Sequence, residues 1–221
     1  MTIEELAATL APRLTADAAA WLRDARAKVA ADPAAIRTLF PAAGRRCGRA
    51  PLTETGEGAE EATGWTVDDA ARTLMISALS GSAIEQEIED LYRYGDAAEK
   101  RGVLRALAVV DPVKKLGAGA LPIVRDALRT NDTRLVAAAL GPYGARHLDA
   151  AAYRQGVLKC VFTGIPLAGI AGLDSRTDDE LVRMLRDFAD ERIAAGRDVP
   201  DDVWLVVPRD LAAPPEAPKE A

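Results

Sequence analysis

Histidine and cysteine are nearly missing from this chain, and with them the chemistries that depend on them. There is one histidine, His147, and there are two cysteines, Cys47 and Cys160, among 221 residues. Common zinc and non-haem iron sites need several His or Cys ligands at set spacings, so no metal site is expected. Neither cysteine lies in a CxxC pair, and two distant cysteines make no disulfide framework. Phosphate signatures are absent as well: no GxxxxGK[ST], and no glycine fingerprint following a strand. No cofactor is expected. Aromatics make up only 5% of the chain, too few for an ordinary β-sandwich. The most apolar run, Val157 to Leu173, is broken by Lys159 and Pro166 and falls short of the ~20 residues of a membrane span. The acidic start, Met1-Thr2-Ile3-Glu4-Glu5, carries no apolar segment of a secretory signal. The expected location is therefore cytoplasmic. A net charge of -6 argues against a nucleic-acid partner, which a basic surplus would announce.

What is abundant points to helix. Apolar residues reach 49%, enough for a core, and they are mostly Ala, Leu and Val, of which Ala and Leu favour helix strongly. Starts of the form cap-x-x-acid occur at Thr2/Glu5, Ser82/Glu85, Asp96/Glu99 and Thr177/Glu180. Apolar residues at helical spacing follow each one, for example Ile84, Ile88, Leu91 and Val103, Leu107, Val110. Thr15 and Thr66 precede similar patterns. Starts near Ser82, Leu116 and Asp149 recur at about 33 residues, the period of helix–turn–helix repeats. That shift superposes Ile88 on Leu121, Val103 on Val136 and Arg101 on Arg134. The fold expected is all-α, with antiparallel helix pairs stacked as a short HEAT-like right-handed solenoid or bundle. Residues 1–40 read as N-terminal helices and 41–64, rich in glycine and proline, as a flexible loop. Residues 65–208 read as the main repeat body and 209–221 as a disordered tail. Val203 to Val207 reads as a strand or an extended strap, and Gly117 and Gly119 as the start of a helix, where they allow close packing.

Few residues invite a chemical reading. His147 and Cys160 can be drawn as a base and nucleophile, but Cys160 sits among Val157, Leu158, Val161 and Phe162, where a free cysteine is ordinarily core. The acid run Glu85, Glu87, Glu89, Asp90 faces several directions on a helix and reads as a solvated surface. Two blocks are harder to set aside. One runs from Leu91 through Tyr92, Tyr94 and Asp96 to Arg101. The other runs from Arg129, Asn131 and Arg134 through Tyr143, Arg146 and His147 to Lys159. Three of the four tyrosines, Tyr92, Tyr94 and Tyr143, are among these named residues. By the repeat, Arg101 and Arg134 would share a face of neighbouring helices. Paired guanidinia need an anion between them, either Glu99 or Asp132, or a ligand carboxylate or phosphate. The candidate ligand-binding residues are Tyr92, Arg101, Asn131, Arg134, Tyr143, Arg146, His147 and Lys159.

The run Tyr92-Arg93-Tyr94-Gly95-Asp96 with Glu99-Lys100-Arg101, the run Arg129 to Arg134, and Lys159-Cys160-Val161-Phe162-Thr163-Gly164-Ile165-Pro166-Leu167 together resemble the EboA-domain family. The resemblance spans roughly residues 66 to 195; the N-terminal helices and the 41–64 segment look variable beside it. It implies a place in bacterial operons that also encode a prenyltransferase, a sugar-phosphate cyclase, an isomerase-like protein and hydrolase-like proteins, linked to the traffic of a natural-product precursor. It carries over no catalytic residue.

The function expected is that of a non-catalytic accessory or adaptor protein in secondary-metabolite biosynthesis and traffic. Its helical surface would hold an operon-encoded partner or a small anionic metabolite, for which the resemblance implies a prenylated or sugar-derived compound. A metal-independent enzyme acting on a small acidic metabolite is the rival, with Tyr92, Tyr143, His147 and Lys159 as acid–base groups. It requires those four to converge in one pocket. A pure protein–protein scaffold is the third reading, and it requires an open apolar groove.

Overall fold

Helix caps written in the sequence set the chain's first turns. In the computed structural model, which describes residues 1–53, 64–81 and 84–208, α1 (Ile3–Leu10) opens on a reciprocal capping box. Glu5 N donates to Thr2 Oγ1 at 3.1 Å and Thr2 N to Glu5 Oε2 at 2.8 Å. Thr15 caps α2 (Ala16–Ala31). Two short helices follow, α3 (Ile36–Leu39) and α4 (Ala43–Cys47). The helical turn α4 lies inside the segment read as loop, and it buries Ala43 and Cys47. The acidic half of that segment, from Glu54 to Glu61, lies outside the described residues.

Next come α5 (Val67–Ser77), α6 (Ile84–Tyr94) and α7 (Ala97–Lys114). Ser82, the expected cap of α6, lies outside the described residues. Thr66 with Asp69 opens α5 on a capping box, and Asp96 with Glu99 opens α7 on another. Helix α7 ends on Lys115 in the left-handed region, and Gly117 is left-handed too. Gly117 and Gly119 therefore form a turn, and α8 (Leu121–Arg129) starts about five residues later than the repeat predicts. The chain continues through α9 (Thr133–Ala139), α10 (Pro142–His147), α11 (Ala150–Thr163), α12 (Leu173–Arg176) and α13 (Asp179–Ala194). Asp178 caps α13, by accepting from Leu181 N at 2.9 Å. Thr177 was the expected cap, but its hydroxyl is spent donating to Leu173 O at the end of α12. The strap read as a strand is a 3-10 helix, Asp201–Leu205. Its Asp202 accepts from Leu167 N at 2.7 Å and holds it across the 167–169 turn. Among the described residues no strand forms, because the one β pairing is an isolated bridge between Pro51 and Thr66. The expected tail, 209–221, lies outside the described residues.

The middle of the molecule is α5. Every residue from Val67 to Ile76 is buried, with α1, α2 and α4 on one side and α7 on the other. Leu6, Leu22, Phe40, Met75, Leu104 and Val136 share one apolar core. Helices α6 and α8 follow one another on the outer flank, α6 packed on α7 and α8 on α9, while α9 packs on α7. The link from α6 to α7 is Gly95-Asp96, and that from α8 to α9 is Thr130-Asn131-Asp132. Both are short, as neighbouring helix pairs require.

The α5–α7 approach depends on Gly102. A Cβ there would lie 2.7 Å from Arg72 Cδ, on a side chain locked by an ion pair. Overpacking of that kind costs about 1–3 kcal/mol, against about 1 kcal/mol gained in helix propensity. Gly102→Ala should lower the urea unfolding free energy by about 1 kcal/mol net. An unchanged or higher midpoint would show that Arg72 yields freely.

Candidate functional site

Arg101, the strongest ligand candidate from the sequence, is inside the protein. Its Nε lies 3.0 Å from Asp69 Oδ2 and its Nη2 donates to Thr66 Oγ1 at 2.9 Å. Arg105 Nε lies 3.2 Å from the same carboxylate, and Arg72 donates to Asp68 at 2.5 Å. Asp68, Asp69 and Arg72 are fully buried, and Arg101 and Arg105 nearly so. Burial pushes Asp69 up, against the pull of Arg101 and Arg105. Nε and Nη2 of Arg72 find no acceptor among the described residues; the guanidinium lies instead over Phe40, 5.4 Å from the ring centre. Among the described residues this cluster joins α7 to α5 and is largely buried.

Arg134 does not join Arg101. It folds back on its own helix cap, with Nη2 2.9 Å from Asp132 Oδ2. Arg134 holds Asp132 below the usual carboxylate range. Asn131 is exposed in the turn between α8 and α9.

Three candidates do come together, around Asp111 near the end of α7. Arg146 Nη1 donates to Asp111 Oδ2 at 2.5 Å, His147 Nε2 lies 3.0 Å from the same oxygen, and Gly117 N donates to Oδ1 at 2.9 Å. Tyr143 stacks obliquely on His147, ring centres 4.5 Å apart, and its hydroxyl donates to Gly117 O and accepts from Ala120 N. These contacts pin the 115–120 turn and α10. Burial pushes Asp111 up, but the hydrogen bonds from His147, Arg146 and Gly117 outweigh it and hold the carboxyl low. A depressed folded value means that the unfolded chain takes the proton first as pH falls. This stability is full above the unfolded value near ~4 and is lost as pH drops through the folded one. Asp111→Asn should therefore flatten the loss of stability between about pH 5 and 3. Parallel acid-unfolding curves for the two proteins would refute this.

The remaining candidates line surface grooves. Between α6 and α8 an open groove of about 360 Å³ is lined by Glu89, Tyr92, Arg93, Lys100, Pro122, Ile123 and Asp126. Tyr92 donates to Asp126 Oδ2 at 2.8 Å. Burial first, then this bond, push its hydroxyl above the usual range. A smaller cleft of about 150 Å³ extends the groove past Glu85 and Gly119. Two glutamates and an aspartate outnumber the two cations around it.

The groove on the other flank of α8 has the opposite sign. It measures about 440 Å³ and is lined by Arg125, Leu128, Arg129, Ala152, Gln155, Gly156 and Lys159. Arg125 and Arg129, four residues apart, lie on one face of α8. Lys159 reaches over from α11 and donates to Leu128 O at 2.8 Å and Thr130 O at 2.6 Å, closing the C-terminal end of α8. An ammonium has three donors, so one N–H remains. Arg125 donates to Asp149 at 2.8 Å through Nη2 alone, and among the described residues no carboxylate pairs with Arg129. The lining holds three cations and no acid, and a fork of guanidinia suits carboxylate or phosphate. The sequence alone makes Lys159 a candidate and places Arg129 at the head of the same block without making it one; Arg125 and Gln155 are not singled out by it. The four-residue spacing of the arginines was visible, but the groove exists only once α11 is set beside α8.

The four groups of the enzyme reading do not converge. Tyr92 lines one groove and Lys159 the other, while Tyr143 and His147 are engaged at the 115–120 turn. Cys160 is fully buried, and burial pushes its thiol up to about 12. Among the described residues no group of His, Cys, Asp and Glu is placed to hold a metal ion, and no helix is long and apolar enough to cross a membrane.

No curated protein and no solved structure matches the chain. A family model does, over residues 2–208, so the match takes in the N-terminal helices that the sequence resemblance left aside. With nearly its whole length matched by the model described as metabolite traffic protein EboA, the chain belongs to the EboA family.

Proposed function

We propose that this EboA family protein is a non-catalytic carrier or adaptor that holds a small anionic metabolite in the groove between α8 and α11. The observation that carries the proposal is the lining itself: Arg125, Arg129 and Lys159 converge there and no carboxylate is part of the lining, Asp149 pairing with Arg125 from outside it, in a protein whose net charge is -6. A cationic groove in an acidic surface concentrates anions locally and repels them elsewhere. The family's description as a metabolite traffic protein agrees with binding and release rather than turnover. The helix pairs α6/α7 and α8/α9 are taken as HEAT-like units, the groove being formed where α11 meets the second pair. Partner proteins encoded in the same operon, the prenyltransferase, cyclase, isomerase-like and hydrolase-like proteins, would meet the apolar floor of the α6–α8 groove, at Ile88, Leu116 and Ile123, on the cytoplasmic side. Native purification with mass spectrometry of retained small molecules tests the carrier reading. An anionic compound held by the protein and lost in Arg129→Gln supports it. The same compounds retained by both proteins would overturn it.

A further inference from the structure

The stripe of α11 that brings Lys159 into the basic groove continues past it. Gln155, Lys159 and Phe162 follow one another at i, i+4 and i+7, one stripe of α11. The ring of Phe162 is 63% exposed, and it lies about 5 Å further along the helix axis than Lys159, at 1.5 Å per residue. Phe188 of α13 meets it edge-on, ring centres 4.8 Å apart, and Arg192 lies over Phe188. Leu128 and Leu158, both half-buried, lie beside the same stripe. A lone exposed phenylalanine needs no explanation. This one stands one turn beyond a cation-lined groove, on the same helix stripe as Lys159 and against a second aromatic ring.

From this juxtaposition we infer that the groove selects an amphiphilic anion: a phosphate or carboxylate head on Arg125, Arg129 and Lys159, with an apolar tail laid along α11 onto Phe162. The inference rests on the anion-carrier reading and adds the tail. The occupant is a soluble single molecule rather than a membrane surface, because the cations line a groove between α8 and α11 rather than a flat face. Charge sets the position of the head; the ring rewards each methylene it covers. A fully buried methylene is worth about fourfold in affinity, so one lying on an open ring contributes about twofold.

The test is a titration of the full-length protein with inorganic phosphate and with ethyl, butyl, hexyl and octyl phosphate below their micelle concentrations. Affinity should rise about twofold per methylene until the chain passes the ring, then level off. Phe162→Ser should flatten that rise and leave inorganic phosphate unchanged; Phe162→Leu should keep part of it. Arg129→Gln should weaken every ligand in proportion. Affinity independent of chain length, or a rise untouched by Phe162→Ser, would overturn the tail and leave the anion site standing. Failure of phosphate itself to bind would overturn the site and the tail together. Phe162-dependent binding to phosphatidylglycerol vesicles, without a chain-length rise for the single molecules, would mark membrane docking and overturn the inference.

Discussion

Asp69→Asn should cost about 3–5 kcal/mol of stability, a large share of the 5–15 kcal/mol typical of a domain. The reason is the company Asp69 keeps. Its carboxylate faces Arg101 at 3.0 Å and Arg105 at 3.2 Å, in a region where Asp68 is already engaged by Arg72. Removing the charge takes from Arg101 and Arg105, both largely out of water, the carboxylate that they share. Breaking a buried pair from one side is costly because the survivor is stranded. Arg134→Gln is the control. It breaks an ion pair with Asp132 whose arginine is about half exposed, and such pairs contribute about 0–1 kcal/mol. Guanidinium unfolding of both variants separates the cases. Losses of similar size would mean that the α5–α7 cluster is no stronger than a surface pair.

Charge reversal in the groove should have the largest effect on binding. In Arg125→Glu/Arg129→Glu, two attractions become two repulsions. At about 5 Å in a watery groove each unit interaction is about 1 kcal/mol, so the double reversal should weaken inorganic phosphate binding at least about 100-fold. Arg125 is at the surface and half exposed, so the fold should survive, though the contact with Asp149 is lost. Wild-type binding should also fall as salt rises toward 0.15 M, where screening acts over about 8 Å. A reversal variant that binds as tightly as wild type would remove the arginines from the site.

The parts of the fold legible in the sequence were local. Thr2, Thr15 and Asp96 cap helices because the acceptor and the amide it serves are two to four residues apart, so no distant contact decides the outcome. Errors arose where a neighbour did decide. Thr177 lost its cap to Asp178 because α12 had already taken its hydroxyl. Helix α8 starts late because the left-handed Lys115 and Gly117 turn the chain first. Arg101 looked like a ligand residue because its partner Asp69 stands 32 residues earlier and reads, by itself, as a first-turn acid. His147 and Arg146 were drawn toward a site for the same reason, with Asp111 some 35 residues away. Within the site, Lys159 is legible in the sequence only as a candidate cation at the end of the second block. Its meeting with Arg125 and Arg129 was not, since no spacing rule relates α8 to α11.

The most direct test of the groove is a diphosphate titration followed by backbone amide NMR shifts. The account predicts saturable shifts confined to the last turns of α8 and the facing turns of α11, residues 125–130 and 152–159. Shifts centred instead on Tyr92, Lys100 and Asp126, or spread over the whole protein, would contradict it.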